Sequence, residues 1–315
     1  MKKHNQINYC IPFLLSFILY LFSSCSEAAK SNDDSLHFSV GQWTFHEELF
    51  DSIMNNFEFV DKAAELEFNG VEYVNQFFID KARDFQFLDA LSKHATSKGL
   101  TNSMLLVDLA GNLAASSEAE RLKALESHKE WVIACSKLAC PAMRINMHGD
   151  GSPDSIREQG LKSLKILAPF ADSNSVKILI ENHGGISNDA DWLLDMIQSL
   201  DHPNVGLVVD FDNWCVVYEN GSLWGKNCIQ EYPRYEGMQK LLPFADNISV
   251  KAFVFDTYGE DSKTDFKQMA QIIDSLGFEG SFGIEYEGDQ LMPGQGAVKT
   301  RQLISKHLEA ISSNQ

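Results

Sequence analysis

Positive charge is scarce in this chain: 26 lysines and arginines stand against 44 aspartates and glutamates, for a formal net charge of -18. A surface of that sign repels phosphate backbones. Nucleic acid is therefore excluded as a partner, and so is a purely electrostatic attachment to anionic lipid. Cysteine is sparse too, with 6 in 315 residues and none in the paired spacing of a zinc knuckle. No glycine-rich phosphate turn follows the first apolar run, where Gly41-Gln42-Trp43-Thr44 stands instead. A doubly wound nucleotide-binding sheet would ordinarily want that turn. No internal repeat or low-complexity linker marks a second domain, and the mostly apolar run over residues 7–22 is too short and interrupted to favour a membrane-spanning helix.

That run has another reading. Lys2 and Lys3 precede it, and it ends in Leu21-Phe22-Ser23-Ser24-Cys25. This is the pattern of an export signal over residues 1–25. Its small serines before Cys25 resemble the lipobox of bacterial lipoproteins, which implies acylation of Cys25 as the first mature residue. The protein is then exported, either periplasmic or membrane-anchored, and touches the membrane only through this N-terminal lipid. Residues 26–35 are small and polar and form a tether, while residues 36–315 form one domain. After processing, Cys135, Cys140, Cys215 and Cys228 remain. An oxidising compartment permits a Cys215 to Cys228 bridge across one loop, whereas Cys135 on the apolar side of a helix and Cys140 before a strand suit buried free thiols.

From Leu36 onward short apolar runs alternate with segments of helical period. Strands are expected at 36–45, 70–77, 101–109, 143–148, 176–180, 205–212, 248–255 and 282–287. Between them Leu193, Met196, Ile197 and Leu200, and again Phe266, Met269, Ile273 and Leu276, form apolar helix stripes. Eight such pairs in a chain of this size predict an α/β fold, a single-domain (β/α)8 TIM barrel, with chemistry at the C-terminal ends of its strands.

Polar groups do gather at those ends. They include Glu72 on the second strand, Asp108 on the third, Arg144, Asn146 and His148 on the fourth, and Glu181 and His183 on the fifth. Asp210, Asp212 and Asn213 follow on the sixth, Ser249 and Lys251 on the seventh, and Glu285 and Glu287 on the eighth. A lone carboxylate at a strand end is ordinarily a helix cap or a loop ion pair. Several buried together need a compensating cation, and one divalent metal (manganese, magnesium, cobalt or zinc) is the economical one.

The motifs IENHGG, VVDFDNW, ISVKAF and FGIEYEG resemble the xylose isomerase-like TIM barrels of the sugar phosphate isomerase/epimerase superfamily. The resemblance implies that Glu181, Asp210 and Glu285 bind the metal, and that Glu181 and Glu285 pass a proton through an enediolate while Lys251 stabilises the oxyanion. A histidine of the seventh strand usually completes the metal set, and here Ser249 stands in its position. His183, His148 or water is left to supply the fourth ligand, with His183 slightly favoured. Substrate contacts are expected from His148, Asn213, Glu72, Arg144, Trp43 and Trp214.

The resemblance implies an isomerase or epimerase acting on a small-molecule carbohydrate, and export of an acidic chain points to one that carries no phosphate. A 3-keto-glycoside lyase or hydratase uses the same first step. A non-catalytic carbohydrate-binding lipoprotein is the alternative from another class. Residues 214–232, aromatic and polar, leave a strand end that bears an expected ligand and are predicted to form a lid. Nothing in the sequence specifies an oligomeric state.

Overall fold

The computed structural model describes residues 36–313; the export signal, Cys25 and the tether lie outside the described residues. The expected strands appear as β1 (Phe38–Gly41), β2 (Gly70–Val74), β3 (Thr101–Val107), β4 (Ala142–Ile145), β5 (Lys177–Glu181) and β6 (Val205–Asp210). A hairpin of β7 (Cys215–Tyr218) and β8 (Cys228–Glu231) comes next, then β9 (Ala245–Ala252) and β10 (Ser281–Tyr286). All except the hairpin pair in parallel and close a barrel in the order β1-β10-β9-β6-β5-β4-β3-β2. Helices wrap it from outside. The fold is the single-domain (β/α)8 barrel that the alternation of runs predicts.

Local chemistry explains where strands stop short of the sequence expectation. β1 ends at Gly41 because the Gln42 side chain accepts from the Val74 backbone N–H at 2.7 Å and donates to Asn56 at 2.7 Å. That turns the following residues across the barrel end. β4 ends at Ile145 because Asn146 uses its side chain on Arg144 and Asp108, at 2.9 Å each. In the helix Phe266–Ser275 the expected stripe is buried as far as Ile273, but Leu276 lies past the last turn and is 43% exposed. The Cys215–Cys228 disulfide is formed, and Cys135 and Cys140 are free and buried.

One apolar core fills the space between strands and helices. A second, smaller cluster of Val74, Met104, Leu106, Leu179 and Val208 occupies part of the barrel interior. The wall made by β9, β10 and β1 is instead polar, with Asn247, Ser249, Lys251, Glu285 and Ser39 all buried. Gly283 is required there, since an added Cβ would lie 2.5 Å from both carboxylate oxygens of Glu72.

Outside the barrel, His128 is buried in the helix Glu118–Lys137 and donates from Nδ1 to the Ala124 carbonyl at 2.8 Å. Burial lowers its pKa to about 4 despite that hydrogen bond, from an ordinary value of 6.5. Between those values the unfolded chain takes up a proton that the folded chain refuses. Stability contributed by this group is therefore complete above 6.5 and falls as pH drops towards about 4, by up to about 3 kcal/mol. A His128→Gln variant is expected to show a flatter stability curve across that acid window in denaturant titrations. An unchanged slope would assign the acid sensitivity to other groups.

Candidate active site

Alternate residues of a strand face the same side, which brings Glu181, Asp210, Lys251 and Glu285 to inward positions at one end of the barrel. Pairing sets Asp210 beside Ser249, Ser249 beside Gly283, and Lys251 beside Glu285. Two ion clusters result. Arg144 lies with Nε 2.7 Å from Glu181 Oε2 and also pairs with Asp108 through Nη1. Lys251 Nζ lies 3.3 Å from Asp210 Oδ2, 3.2 Å from Glu285 Oε2 and 3.0 Å from Glu287 Oε1.

Polar side chains hold the strand ends in position. Asn182, turned away from Glu181, accepts from the Asp210 backbone N–H at 2.7 Å and donates to the Asn213 carbonyl at 2.8 Å. Asp210 Oδ1 in turn accepts from the backbone N–H groups of Asp212 and Asn213 at 2.7 and 2.9 Å. Asn75 performs the same service on β3, accepting from the backbone of Asp108 and Leu109 at 3.0 and 3.2 Å.

Burial dominates the electrostatics. It pushes Glu181 up to about 8, with Arg144 opposing and the Asp210 and Glu285 charges reinforcing the rise. Burial likewise raises Glu285 to about 7, against the pull of Lys251 and with the push of Glu287 and Asp210. For Lys251 burial would lower the pKa, but the surrounding acids outweigh it and hold the ammonium well above its usual range. Burial would raise Asp108, yet the Arg144 charge keeps it well below the usual carboxylate range. His183 and His148 are both lowered by burial, so both rings are neutral at physiological pH.

A cavity of about 690 Å³ opens above these groups. Of the expected substrate residues, Trp43, Arg144, His148 and Asn213 line it, as do His183, Lys251 and Glu285. Glu181 and Asp210 lie behind its lining, 3% and 0% exposed, with Asn213 Nδ2 3.4 Å from Glu181 Oε1. Two expected contacts are corrected. Glu72 lies deeper inside the barrel, accepting from Ser39 Oγ at 2.6 Å and Asn247 Nδ2 at 3.2 Å, because strand pairing puts it beneath Gly283. Trp214 is fully buried, donates to the Phe211 carbonyl at 2.9 Å and packs on Gly237, so its ring belongs to the core.

His183 does not join the carboxylates as a ligand. Its backbone carbonyl accepts from His148 Nε2 at 2.5 Å, its ring packs edge-on against Trp224 with centroids 4.5 Å apart, and its Nδ1 is buried without a hydrogen bond among the described residues. Among the described residues no group of three or more His, Cys, Asp or Glu side chains is arranged to hold a metal ion. The donor set fits a divalent metal poorly for a chemical reason. Glu181, Asp210 and Glu285 each already touch a side-chain cation, and the neighbour of Asp210 on β9 is a serine.

A family profile described as the xylose isomerase-like TIM barrel matches residues 60–310. The chain belongs to this family. Solved structures of the same fold include 3-keto-D-glucoside 4-epimerase from E. coli, at 15% identity over 86% of this chain and 99% of that one, with a TM-score of 0.65. D-psicose 3-epimerase from Clostridium cellulolyticum H10, determined with D-tagatose, matches at 14% identity over 87% and 99% of the two chains, TM-score 0.65. A xylose isomerase-like TIM barrel protein from Mycobacterium smegmatis, in complex with magnesium, matches at 14% identity over 88% and 98%, TM-score 0.65. No curated protein matches the sequence significantly.

Sequence reasoning left three features of the site unassigned: the role of Asn182, the cations that pair with Asp108 and Glu287, and the hairpin form of the loop after β6. Asn182 alternates to the outer side of its strand, so pattern alone reads it as a wall residue. Asp108 and Glu287 stand at strand ends, but only the fold supplies their cations. The loop after β6 is a hairpin tied by the disulfide, and its residues Leu223 and Trp224 lie on Gly184 and Gly185. Both glycines have positive φ, and a Cβ on either would come within 2.9 or 2.8 Å of those hairpin side chains. The glycine pair after His183 is thus the seat of the hairpin.

Trp224→Ala is expected to raise KM by roughly 2- to 10-fold, the worth of one aromatic contact, with little change in melting temperature. Deleting residues 220–225 should lower turnover far more than thermal stability; unaltered kinetics would remove the lid.

Proposed function

We propose that this protein is a carbohydrate isomerase or epimerase that moves a proton alpha to a carbonyl of a non-phosphorylated sugar. The observation that carries the reading is the pair of buried carboxylates, Glu181 and Glu285, in contact respectively with Arg144 and Lys251, two cations that line one cavity together with Glu285. Their values of about 8 and about 7 lie at or just above neutral pH, the range in which a carboxyl group can serve as either acid or base. The names of the E. coli and Clostridium proteins, both epimerases of keto-sugars, support the same substrate class.

The steps follow from the residues. One glutamate takes the hydrogen alpha to the carbonyl; the C–H electron pair becomes the enediolate double bond, and the carbonyl π pair moves onto oxygen. Arg144 or Lys251 meets the developing oxyanion with a fixed positive charge. Return of a proton to the opposite face of the same carbon by the second glutamate completes epimerisation. Delivery to the neighbouring carbon, with a hydroxyl proton moving between oxygens, completes isomerisation. Acid–base transfer of this kind contributes on the order of 10²- to 10⁴-fold.

The cavity also favours a second reading. At about 690 Å³ it falls within the range of drug-sized ligand sites, and Tyr218, Trp224 and Arg234 line it together with Arg144, Lys251 and Glu285. A 3-keto-glycoside fits such a space, and the same proton abstraction there leads to elimination or hydration with loss of the aglycone. Export supports a substrate without phosphate. The Cys215–Cys228 disulfide suits an oxidising compartment, in keeping with the export signal and an acylated Cys25.

Glu181→Gln and Glu285→Gln are each expected to slow carbon-bound deuterium incorporation from D2O into keto-sugars by at least about 10²-fold, with sugar affinity by calorimetry far less affected. Exchange without aglycone release selects the isomerase or epimerase, and aglycone release selects the lyase. Sugar binding with no exchange in the wild type would return the protein to a binding role.

A further inference from the structure

The seventh barrel strand, β9, presents two inward side chains to the acids, one pleat apart: Ser249 and Lys251. Ser249 pairs with Asp210 on one side and Gly283 on the other. A serine hydroxyl is a poor metal donor beside an imidazole, and glycine offers no side chain at all. Lys251 is 5% exposed and turns its ammonium back from the level of Glu285 to reach Asp210 Oδ2 at 3.3 Å, while keeping Glu285 and Glu287 at 3.2 and 3.0 Å. Asp210 Oδ2 is buried and has no hydrogen bond among the described residues, so this ion contact is its compensation.

On the other side of the floor Arg144 lies against Glu181 and Asp108. All three carboxylates that the family resemblance assigns to a metal thus already touch a side-chain cation. A divalent ion among the same oxygens would lie within about 4 Å of the ammonium, and like charges at that separation repel strongly in a buried site. It would have to displace Lys251.

We propose that Lys251 is the resident cation of this centre and that Lys251 with Ser249 replaces a divalent metal and its imidazole ligand, so that the protein folds and binds carbohydrate without metal. The inference deepens the reading of this floor as the reacting site and rests on it, but its test reads the ion and not the reaction. Processed full-length protein, stripped with chelator, is titrated with Mn2+ or Co2+ alone. Calorimetry and the visible spectrum of cobalt report binding.

Wild type and Lys251→Arg are expected to take up well under one equivalent at millimolar metal and to melt at the same temperature with or without chelator. The double variant Ser249→His, Lys251→Met is expected to bind one equivalent at least about 100-fold more tightly than wild type. One equivalent of divalent metal in the wild-type protein overturns the proposal. So does a folded double variant that binds no more tightly than wild type. Should that variant fail to fold, the wild type and Lys251→Arg decide alone, since stoichiometric metal in either is fatal and its absence upholds the idea. Failure of all proton exchange with this metal pattern intact would sink the enzymatic reading and leave the resident cation standing.

Discussion

Five carboxylates, Asp108, Glu181, Asp210, Glu285 and Glu287, share one end of the barrel with two cations, Arg144 and Lys251, and the rest of the site is arranged around that imbalance. Burying an ion costs several kcal/mol unless partners and hydrogen bonds offset it. The chain meets the cost in two ways. Arg144 and Lys251 are each shared among two or three acids. Backbone N–H groups at the ends of β3 and β6 are aimed by Asn75 and Asn182, and those of Asp212 and Asn213 satisfy one oxygen of Asp210. Burial and the neighbouring acids push Glu181 and Glu285 into the neutral range, whereas the Arg144 charge holds Asp108 down. The same imbalance leaves Glu181 and Glu285 raised into the neutral range at one end of the barrel.

The barrel beneath is divided to suit this. Its β2 to β6 side carries aliphatic side chains, and its β9, β10 and β1 side carries Asn247, Ser249, Ser39 and the Glu72 carboxylate packed under Gly283. Glu72 closes a polar column below the floor. Above the floor, the hairpin rests on Gly184 and Gly185 and is tied at its base by the disulfide, so the cover over the cavity is positioned by chain covalency and by two residues that lack side chains. Scaffold, floor and hairpin therefore meet at the strand end that also delivers Glu181 and His183.

Much of this was legible in the linear chain. Apolar runs marked all eight barrel strands, the helical stripes marked their covers, and the alternation implied one rim where the acids would collect. Glu181, Asp210, Lys251 and Glu285 were identified from their positions at strand ends, and the structure brings them together. The errors have local causes. Trp214 and Glu72 sit next to site residues in sequence or type, yet one turns into the core beside Gly237 and the other falls below the floor through strand stagger. The hairpin was unreadable as strands because its two short segments are irregularly paired and half exposed.

By itself, the sequence determined the architecture and the inventory, because period, strand length and the single rim of a parallel barrel are consequences of local chain chemistry. Which cation compensates which acid was decided only in three dimensions. The pairing of β6 with β9 and of β9 with β10 sets a serine beside Asp210 and a lysine beside Glu285. That juxtaposition joins residues far apart in the chain, and no periodicity encodes whether a long side chain folds back to fill the space between them.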